Sequence, residues 1–227
     1  MSLMQPTLTF LPDQYAAMKL GIHKAWAPQL FQNTIRPALA LPPAAYGRIQ
    51  TAQRIEGFND TVGDCMPTGV INGVIDFLVA QGAPMSVVPN QLALDIYSDV
   101  TGYIAGNPAT DLGTNPDQFF AWWKLNPILG QKLSLVNLID PRNEMAVKNV
   151  IEGVKFVGLV LDLTVAQQNQ IVWDATSRAP QWGYHYVNGD GYDGPYTATS
   201  WGLEKLINQS MFDDGQVIQV YEYILTQ

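Results

Sequence analysis

Cys65 is the single cysteine among 227 residues. It lies in Gly63-Asp64-Cys65-Met66-Pro67, just before a run that reads as a buried helix. A thiol there faces unpaired N–H groups and the positive end of the helix dipole, which favour thiolate over thiol and make the sulfur a nucleophile. The chain has two histidines. One of them, His185, sits in the aromatic, strand-like run Trp182-Gly183-Tyr184-His185-Tyr186-Val187, from which an imidazole can be carried as a base to a site beside the sulfur. A thiol and a base are the minimal equipment for covalent acyl transfer. Weighed against this, a lone cysteine is most often a small buried hydrophobe, and a histidine in an aromatic strand is most often a satisfied core residue.

The elements that must position these two groups can be read from periodicity. Residues 1–58 are rich in proline, which implies extended segments and turns with Pro42-Pro43 as a rigid connector. After Cys65, the residues Val70, Ile71, Val74, Ile75, Phe77 and Leu78 predict a helix that is apolar nearly all round and therefore central. Gln81-Gly82-Ala83-Pro84 ends it. A second helix is expected from an Asn90 cap to Val100, stopped by Gly102, and a third after Asn115-Pro116 through Phe119, Phe120, Trp122 and Trp123. Beyond Asp140-Pro141 a short helix over Met145 to Ile151 leads into a buried strand, Val154 to Leu161. Thr164 is expected to cap a further helix to Val172. Two strands, around His185-Tyr186-Val187 and over Tyr196 to Thr199, are expected to be joined by a loop containing Asn188-Gly189 and Asp190-Gly191, with a last strand from Val217 to Leu225. Helices first and antiparallel strands second make an α+β layout, with Cys65 on the helical half (about 59–130) and His185 on the sheet half (about 140–227).

Composition bounds the function. With 47% hydrophobic and 14% charged residues the chain can fill a real core. A net charge of −8, from 20 acidic and 12 basic residues, argues against nucleic acid or an anionic membrane as partner. One cysteine makes no internal disulfide, and with two histidines it makes no zinc set, so no metal and no cofactor are expected. There is no apolar run of about 18 residues and no charged-then-apolar leader, from which a soluble, cytoplasmic protein is expected.

In order along the chain, Asn59-Asp60-Thr61-Val62-Gly63-Asp64-Cys65, Trp182-Gly183-Tyr184-His185, Gly191-Tyr192-Asp193 and Thr199-Ser200-Trp201-Gly202 resemble the cysteine, histidine and Asn-Ser-Trp-Gly blocks of the papain-like superfamily. They are more closely similar to phage- and prophage-associated papain-fold proteins of unassigned function. The resemblance covers about residues 55–225, and its specificity lies in the ordered set of blocks.

That resemblance implies a two-lobed papain-like domain over 59–227, a Cys-bearing central helix packed on an antiparallel, barrel-like sheet lobe, with residues 1–58 packed on the core. It implies Cys65 as nucleophile and His185 as base, resting as thiolate and imidazolium. Asn59 would hold the oxyanion in place of the family's longer glutamine. Thr199 stands at the position of the asparagine that orients the histidine, and Trp201 would shield that contact. Asp193 and Asn188 are alternative orienters, since a carboxylate or amide suits an imidazole N–H. Asp64 lines the site or serves only as helix cap. Three readings stay open: a cysteine peptidase or amidase acting on a peptide or a peptidoglycan-like cross-link; a structural or interaction protein, for example with a virion partner, on the same frame with weakened catalysis; and a module that binds peptides without cleaving them.

Overall fold

A computed structural model describes residues 41–49, 51, 53–168, 170–176 and 179–227; what the sequence implies for residues 1–40 lies outside the described residues. The order is β1 (Ala45–Tyr46), α1 (Cys65–Ala80), α2 (Gln91–Thr101), α3 (Pro116–Leu125), β2 (Lys132–Ile139), α4 (Glu144–Val154), β3 (Val157–Thr164), β4 (Val172–Trp173), β5 (Gln181–Asp193), β6 (Tyr196–Ser200), β7 (Leu203–Ile207), α5 (Gln209–Asp213) and β8 (Val217–Thr226). Among the described residues helices dominate up to residue 125 and strands beyond it, so the α+β class follows from the order of elements.

The eight strands form one sheet in the order β2-β8-β3-β5-β6-β7-β4, with β1 paired to β5. Pairing is antiparallel throughout except between β4 and β7. Side chains alternate across each strand, so one sheet face carries Val160, Tyr186, Tyr221 and Tyr223 toward α1, α2 and α3. The other carries Leu159, Leu161, Val187 and Val220 toward α4 and α5. In α1 every residue from Cys65 to Asp76 is buried. This depth is possible because a Cβ at Gly69 would stand only 2.6 Å from the Tyr186 ring, so glycine alone lets the helix lie on β5. Among the described residues no helix is long and apolar enough to cross a membrane.

The structure departs from the periodicity reading at several boundaries. Asn188-Gly189 and Asp190-Gly191 are not a turn but the buried second half of β5. Their glycines serve close approach, since a Cβ at Gly191 would meet Tyr46 O and Arg48 N at 2.8 Å; the chain reverses instead at Gly194, φ +75°. The strand expected from Val154 begins at Val157, because α4 runs on to Val154 and ends on Lys155 in the left-handed region, φ +76°. Thr164 caps only a 3₁₀ turn, Val165–Gln167, after which Val172–Trp173 join the sheet. Asn90 does not cap α2; its Oδ1 accepts the Gly57 N–H at 3.2 Å and so ties the turn before Cys65 to that helix. The edge strand β2, the strand β7 between β6 and β4, and the short helix α5 are not foreseen by the sequence reading.

Candidate active site

Cys65 opens α1, and two side chains hold the turn ahead of it. Asp111 Oδ1 accepts the Gly63 N–H at 3.0 Å and the Tyr97 hydroxyl at 2.8 Å, anchoring the loop before the helix. Asn72 on α1 clasps Ile55 from both sides, donating to its carbonyl and accepting its N–H, each at 2.8 Å. Asp64 makes no side-chain cap; its Oδ2 accepts the Phe58 N–H at 2.9 Å, and burial raises its pKa to about 7. The sulfur of Cys65 accepts the backbone N–H of Tyr186 at 3.4 Å. The head of α1 therefore meets β5 at the residue next to His185, 121 positions away in the chain.

The His185 ring turns to the sheet face opposite Tyr186. Its Nε2 lies 2.7 Å from Ser200 Oγ, while Nδ1 has no hydrogen-bond partner. Trp201 stacks on the imidazole, with centroids 4.7 Å apart and planes 12° off parallel, and Trp173 meets it edge-on at 6.2 Å. Trp201 is delivered by a two-residue hairpin, Trp201-Gly202, in which both residues have positive φ, +50° and +68°. Such a conformation is strained for a bulky aromatic side chain and fixes where the indole lies. Lys205 Nζ donates to Gln170 O at 3.0 Å and lies over the Trp173 and Trp201 rings. Burial, and then the Lys205 ammonium, lower the His185 pKa to about 3, so the ring is a neutral imidazole. That differs from the resting imidazolium which the resemblance implies. Cys65 and His185 are each 1% exposed.

The remaining sequence candidates fall in different places. Asn59 is buried in the turn before α1, with Nδ2 donating to Glu56 O at 3.2 Å and Oδ1 without a partner. Thr199 does not touch His185; its hydroxyl sits 2.6 Å from Arg48 Nη2 and 3.5 Å from Asp190 Oδ2. Strand alternation explains this: Thr199 pairs with Asn188, which faces α1 and donates to Asp76 at 3.2 Å, so the next residue, Ser200, is the one on the His185 face. Asn188 is accordingly occupied with Asp76, and Asp193 is exposed at the end of β5, paired in register with Ala45.

Sequence reasoning missed the charges that hold this region together. Arg54 Nη2 reaches Asp76 at 2.6 Å and Asp190 at 3.3 Å, and Arg48 reaches Asp190 at 2.9 Å and Glu204 at 2.5 Å. Burial raises the pKa of both aspartates while the arginines oppose it. The only available signal was two arginines in a segment otherwise read as loop.

No family model and no curated protein sequence matches the chain. Solved structures do. The chain is similar to xylellain, a cysteine protease from Xylella fastidiosa, with TM-score 0.70 and 10% identity over 93% of this chain and 98% of that one. It is also similar to digestive procathepsin L 3 of Tenebrio molitor larval midgut, TM-score 0.60 and 14% identity over 93% and 78%. A third likeness is to procathepsin B S9 from Trypanosoma congolense, TM-score 0.54 and 11% identity over 97% and 89%. These are structures of papain-like cysteine proteases, and the chain has the papain-like fold.

Proposed function

We propose that the protein is a cysteine hydrolase of the papain-like type, in which Cys65 attacks an amide or related acyl carbon and His185 moves the proton. The observation that carries this reading is the 3.4 Å approach of Cys65 Sγ to the backbone of Tyr186, which joins the head of α1 to the strand bearing His185. The unpartnered Nδ1 of His185 supports it, since a base needs a vacant lone pair. In the first step the thiol proton passes to the imidazole as sulfur bonds to the acyl carbon. In the second, the imidazolium protonates the leaving group, and water then clears the thioester. The first N–H groups of α1 are donors for the oxyanion, and Asn59 joins them by exchanging its bond to Glu56 O. Because sulfur and imidazole are both buried, substrate binding must open a path to them.

A peptide or a peptidoglycan cross-link fits an amide-cleaving site on a chain of net charge −8 better than a polyanion does. The test is hydrolysis of mixed fluorogenic peptides and of purified peptidoglycan by the native chain and by Cys65→Ala. Cleavage by the first and none by the second is expected; equal rates would remove the assignment.

One observation favours a second reading, a structural or interaction protein on this frame in a virion or prophage setting. A histidine with its pKa lowered to about 3 by burial and by Lys205 gives little help to a thiolate. A thiol that stays inert to iodoacetamide in the folded protein would support that reading over the first.

A further inference from the structure

The papain-like arrangement asks for a group that fixes the imidazole, and the sequence position for it is Thr199. In the folded chain that hydroxyl is engaged by Arg48 and Asp190 on the α1 side of the sheet. The atom that meets Nε2 of His185 is Ser200 Oγ, at 2.7 Å and buried. Trp201 and Trp173 close the ring in from its face and its edge, and this hydrogen bond holds its orientation between them.

We propose that Ser200, and not Thr199, is the positioning residue that holds the His185 ring for proton transfer from Cys65. The proposal rests on the Cys65–His185 reading above. With Nε2–H donating to Ser200 Oγ, the lone pair lies on Nδ1, the nitrogen that has no other hydrogen-bond partner. The Cys65 proton then goes to Nδ1 as sulfur attacks, and from Nδ1 to the leaving group, while the other proton stays on Nε2, hydrogen-bonded to Ser200 Oγ, throughout. A hydroxyl orients the ring without adding negative charge, so it steers the base but does not strengthen it. The nearby charge is the Lys205 cation, which acts in the opposite sense to a carboxylate orienter.

The experiment uses the full chain with ¹⁵N-labelled histidine, reading the His185 ring shifts together with the pH–rate profile of iodoacetamide alkylation of Cys65. Ser200→Ala should shift the ring resonances away from the Nε2–H form and slow alkylation by up to about 10-fold, the worth of one neutral hydrogen bond. Ser200→Thr, which restores a hydroxyl, should recover the wild-type ring shifts. Thr199→Val should leave those shifts where they are. If Ser200→Ala changes neither readout while His185→Ala changes the alkylation profile, the Ser200 role is overturned and the Cys65–His185 reading stands. If His185→Ala also leaves the profile unchanged, both are overturned. A shift produced by Thr199→Val in place of Ser200→Ala would return the orienting role to Thr199.

Discussion

At the scale of single residues the site is defined as much by what surrounds the imidazole as by the imidazole itself. Trp201, Trp173 and Lys205 make a dry, positively charged pocket, and they hold the His185 pKa at about 3 against 6.5 in the unfolded chain. The sign of the consequence is fixed. Between those two values the unfolded chain takes up a proton that the folded chain refuses, so the stability from neutral His185 is complete above pH 6.5 and is lost as pH falls toward 3. Asp64, raised to about 7 by burial, acts in the opposite direction, binding a proton in the folded state first. The slope of His185 is therefore isolated by difference. Urea unfolding of wild type and His185→Gln should show the stability gap moving in the variant's favour as pH drops through that window; a gap independent of pH would mean that His185 is not held neutral by its pocket. Cys65→Ser, which changes one atom, should leave the urea midpoint nearly where it is while alkylation disappears.

At the scale of elements, a close fit of helix on strand joins the head of α1 to β5. Gly69 accepts the Tyr186 ring, and the sulfur at the head of the same helix accepts the Tyr186 N–H. Gly69→Ala places a methyl 2.6 Å from that ring and should destabilise by about 1–3 kcal/mol through overpacking, with a lowered melting temperature. Gly82→Ala serves as the comparison, since no atom lies within 4 Å of its added Cβ; its cost is the left-handed φ of +73° alone. The helix after Cys65 and the strand around His185 are each legible in the sequence, one as an all-round apolar run and the other as an aromatic run, while their packing on each other follows only from the resemblance of the ordered blocks. Ser200 was not legible. Choosing between Thr199 and Ser200 needs the register of β6 on β5, and the β-bulge between Gly189 and Gly191 that shifts it leaves no periodic trace in the sequence. Asn188-Gly189 looked like a hairpin turn for a related reason, because the same glycines that make turns also admit a backbone, here that of Tyr46 to Arg48 at Gly191.

For the whole molecule, residues 41–49 and 53–58 tie the helical and sheet halves to each other. Their β1 extends the sheet at β5, and their arginines join Asp76 on α1 to Asp190 on β5 and Glu204 on β7. Breaking a buried pair from one side leaves an uncompensated charge, so Arg54→Met should cost about 3–5 kcal/mol, while Arg54→Met with Asp76→Leu should recover part of it. Additive losses in urea unfolding would show that the pair is not coupled. The central claim remains the meeting of a thiol from the first half of the chain with an imidazole from the second, and the rate of iodoacetamide capture of Cys65 against pH tests it most directly. The account gives capture of the native sulfur that slows markedly in His185→Ala across the pH range below the ordinary thiol pKa of about 8.5, because the neutral imidazole takes the thiol proton as sulfur attacks. A sulfur that reacts identically with and without the imidazole would contradict it.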